Sequence, residues 1–183
     1  MQWSLVGSEM CIRDRLKEEG VRPDVIDAVF ATDDDDLLRV TARARAVQTF
    51  LDTEDGANLL AAYTRAVSIV DKEAKKDGKT YDGEAEQTKL AAAEEKALFE
   101  TLGNVSPEVQ QYNSKEAFAK AMAALAHLRR PVDAFFDHVM VNDKDADLRA
   151  NRLKLLTQLR ATMDSVADFA CIQHNGRDKR KAA

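Results

Sequence analysis

The chain has 183 residues, with 27 Lys and Arg against 32 Asp and Glu and a formal net charge of −5. That length suits one domain with a real core, and the negative balance excludes a long-range field that would draw nucleic acid in, so any RNA contact must come from a local basic stripe. Seven Gly and three Pro, amid abundant Ala, Leu, Glu, Lys and Arg, exclude a turn-rich sheet protein and predict an all-α chain.

Residues 1–15, which include "SLVGSEMCIRDR", read like translated adapter sequence; they are set aside as a non-native leader, with Met1 not a native start. A short helix is expected over residues 25–30, opened by Pro23, whose missing N–H costs nothing in a first helical turn. Thr32 and Asp33 offer capping oxygens, and the acidic run 33–36 reads as a helix N-terminus rather than a metal site. Leu37, Val40, Ala44, Val47 and Leu51 recur at steps of three and four. Leu38, Ala42, Ala46 and Phe50 form an adjacent row, so this helix should bury a wide face. Leu59, Ala62, Ala66 and Ile69 repeat the spacing in a second long helix that closes at Gly78, and the two should pack antiparallel across residues 52–56.

Residues 79–83 read as an exposed connection. Residues 85–102 favour helix and should close at Gly103, with Ser106 and Pro107 signalling a new start. Asn113 and Glu116 resemble a capping box ahead of Phe118, Met122 and Leu125. That helix should stop near Arg130, because Pro131 constrains the residue before it. Pro131 can open a short helix through Phe135, Phe136 and Val139, and residues 142–145 form the next cap region. The last long helix then carries Leu148, Leu155, Leu159, Met163, Val166 and Ala170 on one stripe, with Arg149, Arg152, Lys154 and Arg160 off it. Residues 173–183 read as a disordered basic tail. Together this is a bundle of about six helices in one domain over residues 16–172.

Catalytic motifs are missing from the sequence: no glycine-rich phosphate loop, no nucleophile elbow, and no His pair around a Glu. His127, His138 and His174 are scattered and read as structural or solvent-exposed. Asp143, Asp145 and Asp147 open like a calcium loop, but Leu148 stands where Gly is required and Lys154 where a bidentate Glu is required. The i, i+4 pairs Asp133/Asp137 and Asp164/Asp168 lack His partners and read as solvated or capping. No metal site and no catalytic residue is expected. Cys11 and Cys171 are too few for a disulfide framework, and no apolar run reaches the roughly eighteen residues of a membrane span. A cytoplasmic location without membrane association is therefore expected. What remains is a basic set, Arg129 and Arg130 at a helix end and Arg149, Arg152, Lys154 and Arg160 on the final helix; Arg suits phosphate oxygens and unpaired bases, although a charged solvent face explains the set equally well.

The stretch "LRRPVDAFFDHVMVNDKDADLRANRLKLL" resembles the C-terminal region of the bacterial glycyl-tRNA synthetase beta subunit. "RPDVIDAVFA", "LLAAYTRAVSIVDKE" with Arg65 and Ile69, and "VADFA" agree with that family. The resemblance covers residues 16–172. It implies an all-helical anticodon-binding domain similar to that of arginyl-tRNA synthetase, within a longer subunit of which this chain is a C-terminal fragment. In that family the alpha subunit makes glycyl adenylate from glycine and ATP, the beta subunit grips the tRNA, and two alpha pair with two beta chains. The fragment itself would bind no cofactor and catalyse nothing. Its tRNA contacts would be Arg65, Arg129, Arg130, Arg149 and Arg152, with Asn142 and Asn151 as amide readers. Thr64, Ser68 and Ala170 depart from the family's more usual Lys, Asn and Ser, and the ending "HNGRDKRKAA" is not the family's short one. The alternative is a helical scaffold that docks within a larger assembly without reading RNA; a large uncovered apolar patch would favour it.

Overall fold

The computed structural model describes residues 2–172, with side chains from residue 7 onward. Among the described residues there are eight α-helices and no strand, so the all-α class holds, with more helices than the six or so read from the sequence. They are α1 (Gln2–Glu18), α2 (Pro23–Phe30), α3 (Leu37–Leu51), α4 (Glu54–Asp77), α5 (Ala93–Ser114), α6 (Phe118–Ala126), α7 (Arg129–His138) and α8 (Ala146–Asp164). Helices α4 and α8 pack along each other, α5 lies against α6, α7 and α8, and α6 bridges α3 and α5. α7 fills the space between α4 and α5. None of the described helices is long and apolar enough to cross a membrane.

Local chemistry accounts for most boundaries in the first half. Pro23 opens α2 as its first helical residue, and Val25, Ile26, Ala28 and Val29 are buried. The cap of α3 is Asp36, whose carboxylate accepts from the N–H groups of Leu38 and Arg39. Thr32 and Asp33, expected as caps, instead turn the chain: the Thr32 hydroxyl donates to the Val29 carbonyl and Asp33 sits at φ 51°. Thr53 caps α4 by accepting from Gly56 N–H at 3.0 Å. A Cβ at Gly56 would lie 1.9 Å from the Phe50 carbonyl oxygen, so the corner between α3 and α4 closes only around glycine. Gly78 ends α4 at φ 63°, as expected.

Several expectations fail for tertiary reasons. In the second row of α3, Leu38 is 83% exposed and only Phe50 is buried, so the buried face is narrower than the sequence suggested. Tyr81, in the supposedly exposed connection, is 4% exposed. Residues 85–92 form no α-helix. Side chains of α8 satisfy the start of this backbone, where Ala85 N–H donates to Gln158 and Glu86 exchanges two hydrogen bonds with the Asn151 amide, at 2.7 and 3.1 Å; Ala91 N–H donates to Glu95 of α5. Neither Gly103 nor Pro107 breaks α5, which runs through both. Leu98, Leu102, Val105 and Val109 carry one buried stripe across them, and burying four such side chains, at about 1.5–3 kcal/mol each, outweighs a cost of about 1 kcal/mol for Gly and 3 for Pro.

Asn113 is not a cap; it lies in the last turn of α5 and donates to the Ser165 carbonyl at 3.2 Å, while α6 starts without a side-chain cap. α6 ends at Ala126, and Pro131 falls in the first turn of α7, where its missing N–H removes no helical bond. Asp145 caps α8, within the expected cap region. α8 ends at Asp164 rather than continuing through Val166 and Ala170. The turn over residues 165–168 brings the Phe169 ring to 5.9 Å from Tyr63, and Asp168 N–H donates to the Ala28 carbonyl, so packing against α4 and α2 interrupts the helix, which resumes over residues 169–172. Within the segment set aside as a leader, Arg13 pairs with Asp27 and lies over the Phe30 ring. The tail 173–183 lies outside the described residues.

Candidate nucleic-acid interface

The seven candidate side chains fall into two groups. Asn142, Arg149, Asn151 and Arg152 come together at the first turns of α8 and the loop before it. Arg149 reaches across to α4, where Glu73 and Asp77 stand one turn apart, and bonds both carboxylates, Asp77 at 2.6 Å. Its Nε donates to Asn142 Oδ1 at 3.1 Å, the Asn142 amide donates to Glu73 at 3.1 Å, and a further nitrogen reaches the Tyr81 hydroxyl. Arg152 points the other way, to α5. It donates to Glu95, to the Met140 carbonyl at 2.8 Å and to Asp143 at 2.8 Å. Arg152 is 7% exposed and Glu95 fully buried. Asn151 is buried on the backbone of Glu86.

Electrostatics follow this geometry. Hydrogen bonds from Arg149 and then Asn142 hold the Glu73 carboxyl below the usual carboxylate range in spite of its burial. Asp77 is held low by the Tyr81 hydroxyl and by Arg149. Arg149 is raised in turn, by Glu73 first and Asp77 second. Burial pulls Arg152 down, but its hydrogen bonds to Glu95 and Asp143 outweigh that and the net direction is up. These arginines are thus fixed in the charged form with most of their donors occupied.

The second group lies on the outer face of α4 and α7, which run side by side in the same direction. Arg129 is held by Asp55, with Glu54 at 3.5 Å and Asp133 at 3.7 Å, and keeps 29% of its side chain exposed. Arg130 is exposed and makes no ion pair among the described residues. Arg65 is exposed and rests over the Phe136 ring, 4.4 Å from its centroid. A cleft of about 400 Å³ joins Arg65 and Phe136 to Arg129, with Ala61 and Ala62 also in its lining; Arg129 also borders a neighbouring hollow beside His127 and Arg130.

Reading the sequence missed the acids that receive these arginines, Glu73, Asp77 and Glu95, and the part of Phe136 at the surface. Glu73 and Asp77 stand at i and i+4 on α4, a spacing that puts two carboxylates in reach of one guanidinium, but only the packing of α8 against α4 names that guanidinium. No three His, Cys, Asp or Glu side chains among the described residues are grouped to hold a metal ion.

The DALR anticodon binding domain family matches residues 59–170, a span that holds all seven candidate side chains. A glycine–tRNA ligase beta subunit of Rhodospirillum centenum is 49% identical over 160 residues, covering 86% of this chain and 22% of that protein. The corresponding subunit of Phenylobacterium zucineum is 48% identical over 155 residues, covering 85% of this chain and 23% of that protein. The chain therefore spans less than a quarter of the length of these curated relatives. The resemblance drawn from the sequence motifs is borne out, and the chain belongs to the DALR anticodon-binding domain family.

Proposed function

We propose that this chain is the anticodon-gripping part of a glycine–tRNA ligase beta subunit. It would hold the anticodon region of glycine tRNA while an alpha subunit, in an assembly of two alpha and two beta chains, performs the ATP-dependent glycylation. The chain would bind no ATP, catalyse nothing itself, and work in the cytoplasm. The observation that carries this reading is the family match across α4–α8, on which an exposed arginine face lies. In this reading the seven side chains divide by exposure. Arg65, Arg129, Arg130 and Asn142 are the contacts, since each reaches solvent. Arg149 and Arg152 fix the loop that carries Asn142, and Asn151 holds the segment before α5; their donors already serve Glu73, Glu86, Glu95 and Asp143.

One feature favours the docking alternative. Ala42, Ala46 and Phe50 of α3 and Phe118, Met122 and Ala123 of α6 line an open apolar groove of about 640 Å³, the sort of surface that covers itself in an assembly. A single titration separates the two. The chain is mixed with glycine tRNA, and with the same tRNA carrying altered anticodon bases, at two salt concentrations. Preference for the native anticodon is expected; equal and steeply salt-dependent binding would leave only phosphate attraction and give the groove the main role.

A further inference from the structure

We propose that the cleft between α4 and α7 takes a single unpaired nucleobase, stacked on the Arg65 guanidinium, with Phe136 as the residue that positions it. This rests on the tRNA-binding reading above and names where in the chain a base would sit. Three observations carry it. First, Arg65 is exposed and has no carboxylate or carbonyl partner among the described residues; its one recorded contact is the Phe136 ring, 4.4 Å away. The neighbouring Arg129 is gripped by acids, although Asp133 and Asp137 line the same cleft as Arg65. A guanidinium laid over a ring keeps its second face and its donors available to a flat guest, a geometry that lysine cannot supply.

Second, Phe136 is braced. Its ring meets Phe135 edge-on at 5.6 Å, and Phe135 is fully buried, so the platform under Arg65 is tied to the core. Ala61 and Ala62 also line the cleft, and their small side chains leave room beside the ring. Third, the charges that line the cleft are balanced, Arg65 and Arg129 against Asp133 and Asp137. Such a wall repels a phosphate about as much as it attracts one. It suits the edge of a base, where an exocyclic amino group can donate to a carboxylate while a ring nitrogen or carbonyl accepts from arginine.

The test uses the 183-residue chain and the anticodon stem-loop of glycine tRNA, with each loop nucleotide in turn made abasic. Arg65→Lys keeps the charge and removes the plane; Phe136→Leu removes the ring, and Phe136→Tyr, which keeps it, controls for folding alongside thermal unfolding. The expected result is a loss of about tenfold in affinity for Arg65→Lys and for Phe136→Leu, within the range of one stacked base, and retention for Phe136→Tyr. At one loop position the abasic change should weaken the parent chain comparably and abolish the further effect of both variants. Parent-like binding by Arg65→Lys, or variant effects that add to every abasic change, would overturn the stacked base and leave tRNA binding standing. Failure of the parent chain to bind the stem-loop at all would take both readings down.

Discussion

The first turns of α8 and the outer face of α4 and α7 both carry arginines, and along the sequence they look alike. In the structure their fates differ. Arg149 and Arg152 cross to Glu73, Asp77 and Glu95 and become ties between helices. Arg65 and Arg130 meet no acid at all among the described residues, and Arg129 meets only acids at the surface. The difference lies in where the acids stand: Glu73 and Glu95 are buried partners, whereas those on Arg129 are at the surface and Asp133 and Asp137 line the cleft of Arg65 without pairing to it. An arginine with its donors satisfied inside the fold shapes a binding surface; one without them can form it.

The largest expected effect comes from breaking the buried tie. Arg152→Ala leaves the fully buried Glu95 carboxyl without its guanidinium partner, which should cost about 3–5 kcal/mol in urea unfolding. The double change Arg152→Met with Glu95→Leu should recover much of that. A loss below about 1 kcal/mol for Arg152→Ala would show that Arg152 is dispensable to the fold.

Next in size is a dependence on acid. Glu73 is held low by Arg149, so the folded state binds its proton less readily than the unfolded chain. Its contribution is therefore complete above the unfolded value near pH 4.3 and is lost as pH falls through the lower folded value. Asp77 and Asp143, also held low, act in the same sense. Asp164 acts oppositely: burial raises its carboxyl, with Tyr63 donating to it at 2.6 Å, and that favours the folded state in acid. Urea midpoints measured at pH 7 and near pH 3.5 should show Glu73→Gln weaker than the parent at pH 7 and less sensitive to acid. An unchanged acid response would place the linkage elsewhere.

The smallest effect on folding, and the sharpest contrast, should come from Arg130→Glu. Stability should move by no more than about 0.5 kcal/mol, because the side chain is exposed and unpaired. Affinity for glycine tRNA should fall, with the salt slope reduced by about one. A folding loss comparable to that of Arg152→Ala would erase the distinction between the two regions.

The same division describes what the sequence made legible. Pro23, Gly78 and the cap region around Asp145 act through their own backbone neighbours, so α2, α4 and α8 start or stop where local chemistry says. Gly103 and Pro107 send equally clear local signals, but Leu98, Leu102, Val105 and Val109 bind α5 to its neighbours across them. The candidate arginines were legible as residues and not as roles, since Glu95 stands 57 positions from Arg152 and Glu73 stands 76 from Arg149. Phe135 and Phe136 are adjacent in one short helix, and only the structure separates them: Phe135 is fully buried, while the ring of Phe136 reaches the surface where α7 meets α4.

The segment between α4 and α5 takes its hydrogen bonds from residues far along the chain, Gln158 at a separation of 73 and Asn151 at 65. Hairpins such as α3–α4 close over short loops and can form early, whereas closing a loop of that length adds entropy that nearby contacts do not offset. The contacts to Gln158 and Asn151 can form only once α8 lies against this segment. These two amide clasps therefore register that α8 is in place.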